Sequence, residues 1–356
     1  MAQDWRYLAV RLNGDGTSDL LHPDLPLSGV RVRQVLSGPP TLSGFIQPTE
    51  PSLMGPDGSI LRAWSTAIYA ECDGQIRGGG VLAMEPELTD QGLTLEGVGL
   101  SAYPNEMPWT AAERQYLDAD PAVVIAEVWA HLLSQPGGNT GLSLSVEPTS
   151  VRVGSEEEPL SLSWWETHDL SMVLNDMAVA SSLDYYESMA WTQDDQVQHR
   201  LRYARSIGRR RHDLRFVLGE NIEIPPSFSG PEASYASHVI ALGAGEGATM
   251  LRAERSAPSD RLRRVAVVPN KALTHSRQVA ELADQELAAR SFPWEVQSVR
   301  AADHGNAPVG SFEPGDEIFV DAGSGWSEGL SDWHRIVAIE VSPESPEAIE
   351  LSLVRV

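Results

Sequence analysis

The chain has 356 residues, 42% of them hydrophobic, and a formal net charge of −24. That length and apolar content can build two or three domain cores and exclude wholesale disorder; the charge excludes unassisted binding to a phosphate backbone, which needs clustered Lys and Arg. Cys72 is the only cysteine, so neither an intrachain disulfide nor a thiolate metal cage can form.

Residues 1 to about 105 read as strands and turns. "MAQDWRYLAV" has no basic region followed by a long apolar segment, so no export signal is expected. No run approaches the roughly 20 apolar residues of a membrane span. "WRYLAVRLNGDG" predicts a short alternating strand that ends in a Gly/Asp turn. In "NGDGTSD" (Asn13 to Asp19) oxygens recur on alternate positions, as in calcium loops. Ser18 stands where such a loop needs glycine and Asp24 where it needs glutamate, so a polar turn is expected. Pro39, Pro40, Pro48, Pro51 and Pro56 mark a loop. The stretch from Ser59 to Leu100 then gives several short strands, spaced as in an antiparallel barrel or sandwich.

The period then changes. Asp120 before Pro121 predicts a helix start. In "AVVIAEVWAHLLSQ" the positions Val124, Ile125, Val128 and Leu132 form the buried face, with Glu127 outside it, and Gly137-Gly138 ends the helix. A second helix is expected from near Thr167, with His168 and Asp169 in its first turn and Leu170, Val173, Leu174 and Met177 on one face. "DYYESMAW" and "HRLRYAR" follow as strands. From about residue 214 the chain returns to strands, broken by a third helix, "SRQVAELADQELAARS", after Thr274. The expected fold class is α+β, with β-barrel-like domains interleaved with small α/β units. The expected domains are 1–110 (β-barrel-like), 111–213 (α/β) and 214–356 (a second β-barrel-like domain with an insertion near 260–305).

Several stretches invite a chemical reading. "VIALGAGEG" (Val239 to Gly247) has the glycine spacing of a dinucleotide-binding turn. The "ATMLRAERS" that follows reads as a strand, where that turn needs a helix, so a hairpin is expected. "GWSEG" (Gly325 to Gly329) matches a nucleophile elbow. Asp332 and His334 lie too close to Ser327 and no helix follows, so Ser327 is expected to have no catalytic role. The nine histidines include no HExxH pair. "GRRRHD" (Gly208 to Asp213) reads as a solvated turn or a contact to an acidic neighbour, and Glu156 to Glu158 as a solvated loop. Trp164 and Trp165 offer a sugar platform, but neighbours on a strand face opposite sides, so one of them is expected in the core. No catalytic, cofactor-binding or metal-binding residue is assigned, no cofactor is expected, and the chain is not expected to be an enzyme. A dispersed carboxylate pair remains compatible with the sequence.

The element order and several local cues resemble the baseplate hub, or tail-associated hub, of tailed bacteriophages. The cues are "GLTLEGVGLSAYPNEMPW" before the crossing segment, "DPAVVIAEVWAHLL", "THDLSMVLNDMAVASSLDYYES", "FVLGENIEIPPSF", "SHVIALGAGEG", "RQVAELADQELAAR" and the "PGD" entry in "FEPGDEIFVDA". They span most of the chain, and none carries a catalytic residue. The resemblance implies a structural minor tail protein at the tail tip of a siphophage-like virion. Such a protein is a homotrimer whose paired β domains form a pseudo-sixfold ring beneath the hexameric tail. It closes the tube and contacts the distal tail ring protein, the tape measure protein and other tip proteins. Genomic DNA passes without specific binding, and an acidic chain suits such a conduit. Synthesis in the host cytoplasm is expected. The sequence departs from longer hubs by stopping at Val356, so no fused lysozyme, peptidase or collagen-like tail is expected. The alternatives are the distal tail ring protein itself and a carbohydrate-binding or hydrolytic tail protein.

Overall fold

The computed structural model describes residues 4–48, 53–55, 58–86, 89–166, 168–224, 228–229, 235–258, 260–271, 273–291, 295–296, 298–323, 331–345 and 349–356. Pro51, Pro56, Thr167 and the whole of Gly325 to Gly329, with Ser327, lie outside them. The described residues are mostly β-sheet, with three α-helices.

The N-terminal strands are β1 (Trp5–Leu12), β2 (Ser18–His22), β3 (Leu27–Val35), β4 (Thr41–Ile46), the short pair β5 (Met54–Gly55) and β6 (Gly58–Ser59), β7 (Thr66–Cys72), β8 (Gln75–Leu82) and β9 (Leu93–Val98). All their pairings are antiparallel. Tyr7, Ala9, Val32, Leu42, Ile68 and Leu95 contribute to one core. The expected inside-outside alternation of β1 fails. Leu8 and Val10, on its other face, are buried with Tyr69 against Met189, Trp191 and Val197. All of β7 is buried. A sheet covered on both sides has no solvent face, so its strands read as continuous apolar runs.

The next unit holds β10 (Arg114–Tyr116), α1 (Pro121–Ser134), β11 (Ser143–Val146), β12 (Leu160–Leu162), α2 (Leu170–Ser181), β13 (Asp184–Trp191) and β14 (Val197–Ala204). α1 starts as the sequence predicts. The Asp120 carboxylate accepts the Ala122 N–H at 2.9 Å and the Thr149 hydroxyl and N–H at 2.7 and 2.8 Å. Val124, Ile125, Val128 and Leu132 are buried, joined by Trp129. α2 is capped by Asp169, which takes the Ser171 N–H at 2.9 Å; Asp169 is thus the residue before the helix and not part of its first turn. β11, β14 and β13 form a three-stranded sheet behind the two helices, with Leu174, Met177, Leu201 and Tyr203 in the shared core.

The C-terminal part contains β15 (Arg210–Val217), β16 (Phe228–Ser229), β17 (His238–Leu242), β18 (Arg252–Ser256), β19 (Val265–Pro269), α3 (Ser276–Ser291), β20 (Glu295–Val296), β21 (Ser298–Ala301), β22 (Glu317–Asp321), β23 (Ser331–Val341) and β24 (Ile349–Arg355). β17 and β18 pair antiparallel, β19 joins β17 in parallel, and α3 packs on this small sheet. The remaining long strands surround a second β core of Phe216, Ile318, Val320, Ile336, Leu351 and others. β23 connects the two β cores. Its first residues pair with β22, its last four pair with Val32–Val35 of β3, and its other edge pairs with β24. One twelve-stranded sheet therefore runs from β15 through β23 and β3 to β2. No helix among the described residues is long and apolar enough to cross a membrane.

Candidate functional site

The stretches that invited a chemical reading do not converge. The glycines of "VIALGAGEG" connect β17 to β18 as a hairpin, as the sequence predicts. Gly245 has φ of 105° and Gly247 of 55°, conformations that side chains rarely adopt. Only a three-residue 3-10 turn, Gly247–Thr249, lies between the strands. "NGDGTSD" is a polar turn in which Asp15 accepts the Thr17 N–H and hydroxyl at 2.9 and 2.6 Å. The turn docks on the loop after α1, where Gly16 N–H reaches the Asn139 carbonyl at 2.9 Å. Glu156 to Glu158 are exposed, as expected of a solvated loop. Asp332 and His334 lie on β23; Asp332 pairs with Arg355, and His334 is buried.

Two expectations are corrected. "GRRRHD" is not a solvated turn. Arg211 is buried and reaches Asp316 at 3.0 Å and Asp213 at 2.7 Å, while Arg210 holds Glu317 at 2.6 Å and lies over the Trp333 ring. The acidic neighbour that the basic run meets belongs to the same chain. Neither Trp164 nor Trp165 enters the core. They sit in a turn and not a strand, 62% and 52% exposed, with their rings edge to face at 5.4 Å. The alternation argument required a strand that is not there.

The structure instead brings together polar groups where the three parts of the chain meet. Strand β13 crosses over β8 and is tied to both β cores. Tyr186 donates its hydroxyl to Gln34 at 3.1 Å, Ser37 N–H donates to the Tyr185 carbonyl at 2.7 Å, and Asp184 pairs with Arg335 of β23 at 2.7 Å. The next residue of the strand after Tyr186, Glu187, has a fully buried side chain. Its carboxylate meets His199 Nδ1 at 2.6 Å and accepts the backbone N–H groups of Leu100 and Ser101 at 2.8 Å each. His199 Nε2 meets the Tyr69 hydroxyl at 2.8 Å. Gly99 makes room for this cluster, since a Cβ there would lie 2.5 Å from both the Glu187 carboxylate and Pro40.

The Glu187–His199–Tyr69 series has the connectivity of an acid–base relay, but its environment denies it chemistry. All three residues are at most 3% exposed, so no substrate reaches the phenol. Burial, and then the charge of Glu187, push the Tyr69 hydroxyl far above its ordinary value. Burial alone would raise Glu187, yet the hydrogen bonds from His199 and Ser101 hold it below the usual carboxylate range. An ionised carboxylate that accepts three hydrogen bonds is a joint between two structural units.

Beside this joint a cavity of about 350 Å³ opens between the N-terminal sheet, β13 and the C-terminal sheet. Gln34, Arg77, Tyr186, Trp191 and Phe312 line it. Among the described residues no cluster of three or more His, Cys, Asp or Glu is arranged to hold a metal. The alternation of "HRLRYA" already carried the signal for His199, because Leu201 and Tyr203 lie at the same parity and point inward. Its partners, 12 and 130 residues away, carried none.

No protein-family profile and no curated protein matches the sequence. Solved structures do match over nearly the whole chain. The 43 kDa tail protein of prophage MuSo2 from Shewanella oneidensis aligns at a TM-score of 0.60 and 10% identity, covering 99% of this chain and 98% of that one. A tail protein from Neisseria meningitidis aligns at 0.57 and 14% identity, covering 98% and 96%. The prophage tail protein gp18 from Listeria monocytogenes aligns at 0.56 and 10% identity, covering 98% and 94%. The chain shares its fold with these phage tail proteins from end to end.

Proposed function

We propose that this chain is a structural subunit of a phage tail tip, the hub that closes the tail tube and joins it to the tip proteins. Residues 1–110 and 214–356 each form a barrel-like β domain, and residues 111–213, with the insertion near 260–305, form α/β units beside them. One observation carries the reading. β23 pairs with β3 as well as with β22 and β24, so one subunit holds two β cores side by side in fixed register. Two β domains in each of three copies fill six near-equivalent places, which matches a threefold protein to a sixfold tube, and rotational symmetry closes the ring. The end-to-end likeness in fold to prophage tail proteins supports this reading.

The chain does no chemistry of its own in this role. Its titratable cluster is sealed inside the molecule and serves as a joint. A net charge of −24 keeps DNA passing through the ring from sticking to it. The distal tail ring protein above, the tape measure protein within and the tip proteins below are the partners, and the virion tail tip is the location. Cryo-microscopy of virions tests this. Three copies in one threefold ring at the tail tip are expected. Six copies in a sixfold ring would assign the chain to the distal tail ring, and a single copy in a fibre would overturn the reading.

A further inference from the structure

A second cavity, of about 230 Å³, opens where turns of the N-terminal strands meet the loop after α1. Asn13 from the turn after β1, Trp64 and Ser65 before β7, Tyr103 after β9 and Thr140 after α1 line it. None of the side chains lining it is charged, in a chain of 26 basic and 50 acidic residues. The backbone holds its walls. Leu12 N–H donates to the Ser65 carbonyl at 2.8 Å, Trp64 N–H to the Leu82 carbonyl at 2.7 Å and Asn139 N–H to the Gly14 carbonyl at 3.1 Å. Gly14 has φ of 73°, and a Cβ there would lie 2.6 Å from the Gly137 carbonyl oxygen, so only glycine lets the two loops meet. Such a cavity is formed before any ligand enters, which lowers the ordering cost of binding.

Trp64 is the lining residue that packing does not explain. Its φ of 53° lies in the left-handed region, a costly conformation for a bulky side chain and one that glycine adopts freely. Yet its ring is 48% exposed, so the core gains little from it. Residues held in such conformations cluster where a protein meets a ligand. The Trp64 ring stands 6.1 Å from that of Tyr103, tilted by 58°, which gives the cavity an angled aromatic wall. Polar groups complete the lining. Asn13 Nδ2 donates to Thr17 Oγ1 at 3.0 Å and to Asp19 Oδ2 at 3.2 Å, which leaves its side-chain carbonyl as a fixed acceptor. The Thr140 hydroxyl is buried and has no hydrogen-bond partner among the described residues, a deficit that a ligand hydroxyl would make good.

We propose that this cavity binds one pyranose ring of a neutral carbohydrate. A pyranose has apolar C–H faces and a rim of hydroxyls. The faces pack on aromatic rings, whose own faces carry the negative side of the quadrupole. The hydroxyls need neutral donors and acceptors, the kind that Asn13, Ser65 and Thr140 offer. A wholly apolar ligand would leave those groups unpaired. A nucleic acid or a sugar acid would need a cation, which the lining lacks. The volume lies below the roughly 300–1,000 Å³ of sites for larger ligands, which limits the occupant to a single ring with the rest of the carbohydrate outside. Sugar binding asks nothing of the ring reading above and stands or falls separately from it.

The test is saturation-transfer NMR on the full-length chain, with tri-N-acetylchitotriose, cellotriose and maltotriose as probes. At least one is expected to bind through a sugar ring, and the trimer that responds separates amino sugars from glucose polymers. Trp64→Gly suits the backbone and removes the aromatic ring, so the chain should stay folded and lose the signal. Thr140→Val keeps the shape without the hydroxyl and is expected to weaken binding about threefold to tenfold. Changing Trp164 and Trp165, the exposed pair before α2, to alanine should leave binding unchanged. No signal from any of the three trimers overturns the proposal. Full affinity in Thr140→Val does so too, as does binding that survives Trp64→Gly but is lost with the Trp164→Ala and Trp165→Ala pair. Trigalacturonic acid, a charged trimer of the same ring size, is expected to give no signal; binding as tight as that of a neutral trimer overturns the neutral class.

Discussion

Glu187 shows what one residue can contribute without doing chemistry. It is a buried charge whose hydrogen-bond partners come from two segments distant in sequence: His199 from β14, and Leu100 and Ser101 from the 3-10 turn Leu100–Ala102 after β9. Glu187→Gln is expected to lower the unfolding free energy by about 1.5–3 kcal/mol, the range for a lost hydrogen bond to a charged group, measured by urea unfolding at neutral pH. The pH dependence follows from the sign of the shift. Glu187 is held below its ordinary value of 4.5, so the unfolded chain takes up the proton first as pH falls. The stabilisation is complete above that value and is lost as pH drops through the lower folded one. The gap between the unaltered chain and Glu187→Gln should therefore narrow under acid. A gap that stays constant down to the acid limit would contradict this account. Tyr69→Phe leaves His199 Nε2 without its partner and is expected to cost roughly 1–3 kcal/mol.

At the scale of the element, α1 and the β17–β18 hairpin separate what local pattern determines from what contacts add. The buried face of α1 follows from spacing alone, and Val128 is 0% exposed. Val128→Asp is expected to unfold the unit around it, with loss of far-ultraviolet helical signal, because an unpaired carboxylate in that core has no partner. Glu127 is a correction. Its position off the apolar stripe predicts a silent substitution, but its carboxylate accepts from Arg114 Nε at 3.0 Å and from the buried Tyr116 hydroxyl at 2.9 Å. Glu127→Gln should cost about 1 kcal/mol, visible as a lower unfolding midpoint. In the hairpin, Gly245→Val places a branched side chain at φ of 105°, with its Cβ 2.8 Å from the Thr249 carbonyl. A penalty of roughly 1–3 kcal/mol should show as faster amide exchange in β17 and β18.

At the scale of the whole molecule, the continuous sheet predicts shared cooperativity. Ile339 is 5% exposed in the C-terminal β core, and its backbone pairs with Gln34 of β3 on one side and Leu351 of β24 on the other. Ile339→Asp is expected to raise hydrogen exchange in Leu27–Val35 as well as in Ile349–Arg355. Exchange confined to the C-terminal strands would mean that the two β cores open independently, and the rigid pair on which the ring reading depends would fail with it.

Local chemistry in the sequence determined the three helices, the cap at Asp120 and the glycine hairpin, because each depends on residues within a few positions of one another. It also determined the acidity and the strand-rich composition. The tertiary structure decided everything that depends on distant partners. Arg211 of "GRRRHD" is buried because Asp316, more than 100 residues away, meets it. Leu8 and Val10 lost their solvent face because Met189, Trp191 and Val197 cover it. The Glu187–His199–Tyr69 joint and the union of two β cores through β23 and β3 belong to the same class. Periodicity reports whether a position faces inward, but it does not report which strand it faces, and the pairing of β3 with β23 joins segments about 300 residues apart that only the folded chain brings into register.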